Sequence, residues 1–345
     1  MRLLNTETFQ LQEYYTDIPA YAILSHTWDK EEVTFRDMQN LEVAKKKAGF
    51  AKIRGACAHA RKYAFEWIWI DSCCINKESS AELSEAINSM YEYYRDSQVC
   101  YAYLSDASSA EDPRDTKSGF RSSRWFKRGW TLQELLAPRY VVFLGQDWEE
   151  IGTRWSLKDA ISVLTRIPSR VFEDGRLESY SIAQRMSWAA LRETTRPEDK
   201  AYCLMGIFGV NMPPLYGEGS EKAFTRLQHE IIKVSDDRSI FAWIAPVGEK
   251  GPRGLFARSP FEFRMSEKFR PLKRILLTTT PLTFSRTMVY TYTYLSRKLL
   301  LAIWTAGGRC LLQHSIVGLK TATISPSICR TSMDGDMFAI GQMSW

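Results

Sequence analysis

The residues best suited to chemistry lie in one stretch, Arg124-Trp-Phe-Lys-Arg-Gly-Trp-Thr-Leu-Gln-Glu-Leu-Leu-Ala-Pro138. Two roles are open for its glutamate, Glu134. It could be a reactive carboxylate in a cleft, as acid–base or charge-stabilising chemistry requires. Alternatively, Thr131-x-x-Glu134 has the spacing of a capping box, in which Glu134 would accept a hydrogen bond from the Thr131 backbone N–H. The sequence is compatible with both roles.

Four other polar residues are candidates for a site. Glu82 is a second functional carboxylate or belongs to the solvated face of its helix. Ser25 and His26 could line a ligand pocket, although a histidine at a strand end can equally be a satisfied structural residue. These two cannot pair as in a hydrolase triad, because neighbouring strand residues point to opposite faces. Asp71 could contact a ligand or cap a loop.

Two tryptophans, Trp28 and Trp130, could stack on an aromatic ligand or could belong to the core. A metal site is not expected, because Cys57 and His59 have no second matching pair. The seven cysteines are odd in number and irregularly spaced, which indicates reduced thiols in an intracellular protein.

Short apolar runs alternate with amphipathic helices over the first 150 residues. Polar residues follow the runs where strands would end, at Ser25-His26, Asp71-Ser72 and Ser105-Asp106. This alternation predicts an α/β fold, an open parallel sheet with flanking helices that binds ligands at the carboxyl ends of its strands. The runs that predict strands occupy residues 21–28, 66–71, 99–104 and 140–144.

The later sequence predicts a mainly α-helical extension. A proline and two acids, Glu198 and Asp199, open a helix over residues 197–209, where the acids would complement the helix dipole. We predict a sheet domain over 1–150, the helical extension over 151–268 and an anomalous basic, Ser/Thr-rich tail over 269–345. The tail is predicted to be disordered or to result from a gene-model artefact.

The net charge of +6 does not indicate a nucleic-acid partner. Residues 271–345 hold eight basic and two acidic residues, so they account for the whole excess and the remainder is neutral. No signal peptide and no long uncharged apolar run are apparent. We therefore expect a cytoplasmic protein without a membrane segment.

Four sequence blocks follow one another along the chain: Tyr21-Ala-Ile-Leu-Ser-His-Thr-Trp28, Trp69-Ile-Asp-Ser-Cys-Cys-Ile-Asn76, Glu82-Leu-Ser-Glu-Ala-Ile-Asn-Ser-Met90 and Arg128-Gly-Trp-Thr-Leu-Gln-Glu-Leu-Leu-Ala-Pro138. Two later blocks are Thr195-Arg-Pro-Glu-Asp-Lys-Ala-Tyr-Cys-Leu-Met-Gly-Ile-Phe-Gly209 and Leu215-Tyr-Gly-Glu-Gly219. The first four resemble the fungal heterokaryon-incompatibility (HET) domain, and the last two resemble the extension of its vegetative-incompatibility subgroup. The resemblance runs from about residue 1 to 265, in the right order and spacing.

The resemblance implies a role in non-self recognition, as an effector of programmed cell death. HET domains are also distantly similar to Toll/interleukin-receptor (TIR) domains, which implies a TIR/flavodoxin-like sheet. The segment from Ser123 to Leu135 resembles the TIR stretch whose glutamate cleaves NAD, with Thr131 in place of the TIR cysteine and an insertion after Ser123. By this resemblance Glu134, and secondarily Glu82, would be catalytic.

The resemblance also implies a ligand and partners. NAD is a possible substrate and no cofactor is required; Ser25, His26, Trp28, Asp71 and Trp130 would then line the nucleotide pocket. Some relatives carry nucleotide-binding and repeat modules that this sequence lacks, so a sensor would act in trans. The alternative is a non-enzymatic signalling module that acts by assembly with like domains or a partner.

Overall fold

The computed structural model describes residues 1–249 and 253–270, and the backbone of four later strands. The chain divides into two compact units, Met1–Glu178 with Leu191–Lys233 and Ser179–Ala190 with Val234–Trp345. The domain boundaries predicted at residues 150 and 268 stay a prediction.

The first unit contains a seven-stranded sheet in the order β2-β1-β4-β3-β5-β6-β7. Strands β3 to β6 pair in parallel, while β1, β2 and β7 add antiparallel edges. The parallel strands thus follow the 2-1-3-4 order of a flavodoxin-like sheet, and the predicted α/β class is confirmed. The strands are β1 Arg2–Asn5, β2 Leu11–Glu13, β3 Tyr21–His26, β4 Trp67–Ile70, β5 Val99–Tyr103, β6 Val141–Leu144 and β7 Glu150–Thr153.

The four parallel strands are those that the apolar runs predict. All six residues of β3 are buried, as expected for a central parallel strand covered on both faces. The antiparallel edge strands were not predicted, because each has only three or four residues and none forms a buried apolar run.

Helices cover the sheet and continue beyond it. They are α1 Phe35–Met38, α2 Leu41–Ala44, α3 Phe50–Lys62, α4 Ser80–Asp96, α5 Gly119–Ser122, α6 Thr131–Leu136, α7 Lys158–Thr165, α8 Ser169–Asp174, α9 Ile182–Ala189, α10 Asp199–Tyr202, α11 Met205–Phe208 and α12 Ser220–Val234. Short 3-10 helices cover Arg124–Lys127, Leu177–Ser179, Arg238–Phe241 and Pro260–Phe263.

The single helix predicted over residues 197–209 is instead two short helices, α10 and α11. The second packs on α4 through Gly206, where an added Cβ would lie 2.1 Å from the Cβ of Tyr91. It ends at Gly209, whose φ of +63° suits glycine. Close packing on α4 therefore fixes where this segment turns.

The second unit has its own small framework. Helix α9 packs against the 3-10 helices Arg238–Phe241 and Pro260–Phe263, and Ser181 caps it in a capping box with Gln184. The backbone of β8 Met288–Tyr294, β9 Lys298–Trp304, β10 Cys310–Ser315 and β11 Thr321–Thr323 forms an antiparallel sheet. The rest of the predicted tail, 269–345, lies almost entirely outside the described residues.

Candidate functional site

A cavity of about 720 Å³ opens at the carboxyl ends of β3 and β4 in the first unit. Its size is in the range of small-molecule and cofactor sites. Five basic and four acidic side chains line it, together with four aromatic rings. These are Lys77, Arg124, Lys127, Arg128 and Arg196; Asp71, Glu134, Glu193 and Asp199; and Trp28, Trp130, Tyr94 and Tyr216.

Asp71 directly follows β4 and is the centre of a hydrogen-bond cluster. It accepts from His26 Nε2 at 2.9 Å, from Trp28 Nε1 at 2.9 Å and from Lys77 Nζ at 3.3 Å. Lys52 Nζ lies 3.3 Å from His26 Nδ1. Because an ionised carboxylate only accepts, the His26 Nε2 that contacts Asp71 carries a proton.

This cluster keeps the Asp71 carboxylate ionised. Burial raises its pKa, but the charge of Lys77 and the hydrogen bond from His26 outweigh burial, so the pKa lies well below the ordinary value. The ammonium of Lys77 also lies 3.6 Å from the ring centroid of Trp28. One face of this tryptophan is therefore already covered.

Glu134 stands in a different environment on the short helix α6. The hydroxyl of Ser25 donates to Glu134 Oε2, and the indole N–H of Trp125 donates to Ser25 Oγ at 2.7 Å. Ser25 and Trp125 are fully buried, and Glu134 is 7% exposed at the cavity wall. These two hydrogen bonds connect the buried Trp125 through Ser25 to the Glu134 carboxyl group.

Burial dominates the protonation of Glu134. It raises the pKa of the carboxyl to about 7, although hydrogen bonds from Ser25 and Tyr94 and the charge of Arg128 act in the opposite direction. A carboxyl group with this pKa exchanges its proton near neutral pH, as general acid–base chemistry requires.

The predicted capping box at Thr131 is wrong. Helix α6 has Trp130 at its N-cap without a side-chain cap. The Thr131 hydroxyl contacts the carbonyl oxygens of Trp125 and Arg128 instead. A 3-10 turn precedes α6 and brings these carbonyls within reach of Thr131, while Glu134 turns towards Ser25.

A second wall comes from the segment after the sheet domain. Asp199 accepts from Trp130 Nε1 and from the Tyr216 hydroxyl, each at 3.0 Å. The guanidinium of Arg196 lies 4.1 Å from the Tyr216 ring centroid. Burial raises the pKa of Asp199, and hydrogen bonds from Trp130 and Tyr216 only partly offset this effect.

The loop that carries Tyr216 is fixed by the neighbouring acid. Glu198 Oε1 accepts from the backbone N–H groups of Gly217 and Gly219, both at 3.0 Å. These glycines have φ values of +102° and +84°, a conformation that disfavours side chains. Both acids predicted to serve the helix dipole therefore also have specific hydrogen-bond partners.

Most of the candidates predicted from the sequence line the cavity, and two do not. His26, Trp28, Asp71, Trp130 and Glu134 all line the cavity. Ser25 does not line it but lies behind Glu134.

Glu82 is not brought to the cavity. It forms an ion pair with Arg2 and accepts from the backbone N–H of Asn76 at 2.7 Å. Burial acts to raise its pKa, but Arg2 and Asn76 prevail and lower it.

Sequence reasoning missed Lys77, Arg128, Arg196, Asp199 and Tyr216 as site residues. Arg128, Arg196, Asp199 and Tyr216 stand inside the blocks that carried the family resemblance, which was the available signal. Their meeting at one cavity depends on how α10 and the following loop pack.

In the part of the chain that the structure describes, no group of three or more His, Cys, Asp or Glu residues could hold a metal ion. No helix there is both long and apolar enough to cross a membrane. Five buried cysteines, Cys57, Cys73, Cys74, Cys100 and Cys203, are free thiols.

An α/β sheet with a charged, aromatic-lined cavity at its carboxyl edge defines the class of domain, and comparisons with known proteins show what it is similar to. Residues 21–118 match the family model described as heterokaryon incompatibility protein (HET). A stretch of 224 residues, 63% of this chain, is 46% identical to the vegetative incompatibility protein HET-E-1 of Podospora anserina. No solved structure matches the chain.

The family model and this relative together support a HET domain in the matched part of the chain. The chain spans 16% of the length of the Podospora protein.

Proposed function

We propose that this protein acts in heterokaryon incompatibility, as an effector that triggers programmed cell death by hydrolysing NAD in the cavity. The first part is supported by the 46% identity to a protein named for vegetative incompatibility. The chemical part is supported by the residues of the cavity and by the resemblance of the Glu134 segment to the catalytic stretch of TIR domains.

The observation that carries the chemical proposal is the Glu134 carboxyl group. It faces a cavity large enough for a nucleotide, and burial raises its pKa to about 7. A group with this pKa is partly deprotonated at neutral pH and is still a good proton acceptor, so it suits a general base.

In the proposed reaction, the bond between the nicotinamide nitrogen and the ribose carbon breaks. Its electron pair stays on the nitrogen, so nicotinamide leaves as a neutral molecule and needs no proton. The ribose passes through an oxocarbenium-like state that the Glu134 carboxylate stabilises. Water then adds to the ribose carbon and gives its proton to Glu134, which yields ADP-ribose.

The other walls fit the rest of such a substrate. Trp130 and Tyr216 present aromatic surface, on which a nicotinamide or adenine ring could stack. Asp71 has three protein donors already, so we assign it to the framework of the site and not to the ribose.

The test is an NAD-consumption assay on the purified full chain. Wild type should consume NAD, and Glu134→Gln should lose at least about 100-fold in rate because its amide cannot accept the proton. Glu82→Gln is the matched comparison, because it removes the other carboxylate singled out by the sequence. Glu82 lies outside the cavity, so this variant should keep most of the activity.

Two results would contradict the proposal. One is a folded wild-type protein that leaves NAD unchanged at micromolar enzyme. The other is a Glu134→Gln variant that remains toxic when expressed, which would favour the alternative of a module that kills by assembly. Self-association and a sensor acting in trans stay predictions.

A further inference from the structure

Two arginines four residues apart line the same cavity but differ in their partners. Arg124 forms ion pairs with Asp29 at 3.0 Å and with Asp106 at 3.6 Å, and donates to Ser105 Oγ at 3.2 Å. Among the described residues, no carboxylate forms an ion pair with Arg128, and no protein oxygen accepts a hydrogen bond from its guanidinium.

The backbone of Arg128 is nevertheless firmly held. Its carbonyl oxygen accepts from Arg192 Nη1 at 2.8 Å, and the next residue, Gly129, donates its N–H to the Glu193 carbonyl at 2.7 Å. An added Cβ at Gly129 would lie 2.5 Å from Thr194 Cγ2. The guanidinium therefore extends from a fixed base into the cavity, while its own donors have no partner among the residues that the structure describes.

The charge of Arg128 reaches all three acidic groups that organise the cavity. It acts to lower the pKa of Asp71, Glu134 and Asp199, so it lies near each of them without pairing with any. Asp71 and Asp199 are occupied by other donors. The site thus contains a half-buried guanidinium, that of Arg128, whose five N–H groups have no protein acceptor among the described residues.

We propose that Arg128 binds the phosphate oxygens of the substrate, so that the cavity takes a phosphorylated nucleotide and not a free nucleoside. This inference rests on the proposed function and adds the part of the substrate that Arg128 recognises. A guanidinium fork matches two phosphate oxygens, and such charge-assisted bonds are about twice as strong as neutral ones. Lys127 and Arg196, on the same cavity, suit the second charge of a pyrophosphate.

The experiment is calorimetric binding of ADP-ribose to the full chain, which requires no turnover. Arg128→Gln should raise the Kd about 10- to 100-fold, the range expected when charge-assisted hydrogen bonds are lost. Arg124→Gln is the matched control, because it removes the same charge from the same cavity but from a guanidinium that already has protein partners. Its effect should stay below about threefold.

Adenosine, which has no phosphate, is the second ligand, and its Kd should be the same in wild type and Arg128→Gln. Arg128→Lys should recover only part of the ADP-ribose affinity, because lysine keeps the charge without the fork. Circular dichroism of each variant checks the fold.

Equal losses in Arg124→Gln and Arg128→Gln would overturn the inference, since net charge alone would then explain binding. Equal losses for adenosine and ADP-ribose would also overturn it, as would a wild type that does not bind ADP-ribose. If ADP-ribose binds through Arg128 but NAD is not consumed, the proposed function fails and the phosphate site stands.

Discussion

Two carboxylic acids lie on one cavity and have opposite protonation behaviour. Asp71 accepts from a lysine, a histidine and an indole, and its pKa falls well below the ordinary value. Among the described residues, the donors to Glu134 are hydroxyl groups and no cation pairs with it directly, and burial raises its pKa to about 7. Desolvation acts to raise the pKa of both carboxyl groups, so the opposite outcome depends on whether cationic donors accompany the group.

The largest effect is expected at Asp71. Asp71→Asn removes the negative charge that holds Lys77 and His26, so the free energy of unfolding at pH 7 should fall by about 3 kcal/mol. The pKa of Asp71 is depressed in the folded protein. The stabilisation is therefore fully present above pH 3.8, the ordinary pKa of the group, and is lost as the pH falls through the pKa of the folded protein. Urea unfolding at pH 7 measures it.

The control is Asp29→Asn. Asp29 also pairs with a lysine and an arginine, but its side chain is 48% exposed, so the cost should be less than about 1 kcal/mol. Equal costs at both positions would mean that the Asp71 cluster contributes no more than a surface ion pair.

The second effect concerns the pH dependence of stability at Glu134. The pKa of Glu134 in the folded protein lies above the ordinary value of 4.5, so its stabilising contribution is full below pH 4.5 and is lost as the pH rises through about 7. At about 1.4 kcal/mol for each pKa unit, the loss between pH 5 and pH 8 is about 2 kcal/mol. Glu134→Gln should lack this component in urea unfolding at the two pH values. Identical pH dependence in both proteins would place the Glu134 pKa near its ordinary value.

The smallest effect is expected at the third carboxyl group, Asp199. Its donors among the described residues, the Trp130 indole and the Tyr216 hydroxyl, are both neutral. Tyr216→Phe removes one hydrogen bond to Asp199 and leaves that from Trp130. The free energy of unfolding should fall by about 1 kcal/mol, measured by urea unfolding at pH 7. A loss as large as that in Asp71→Asn would show that neutral donors can match cationic ones at this cavity.

Much of the fold was predictable because buried parallel strands are continuous apolar runs. The predicted strands became β3 to β6, and the apolar stripes of α3 and α4 are buried at Ile53, Cys57, Ile87 and Met90. Short edge strands and the break between α10 and α11 depend on which residues pair and pack with them. A local sequence pattern does not reveal those partners.

The sequence by itself determined which residue types gather at the strand ends, because parallel strands all finish at one edge of the sheet. Only the tertiary structure decided what those residues do. Thr131-x-x-Glu134 has the spacing of a cap, yet Glu134 bonds Ser25, more than a hundred residues earlier. Asp199 and Tyr216 reach the same cavity from a distant segment. Local spacing fixes local hydrogen bonds only when no partner brought by packing competes for the same atoms.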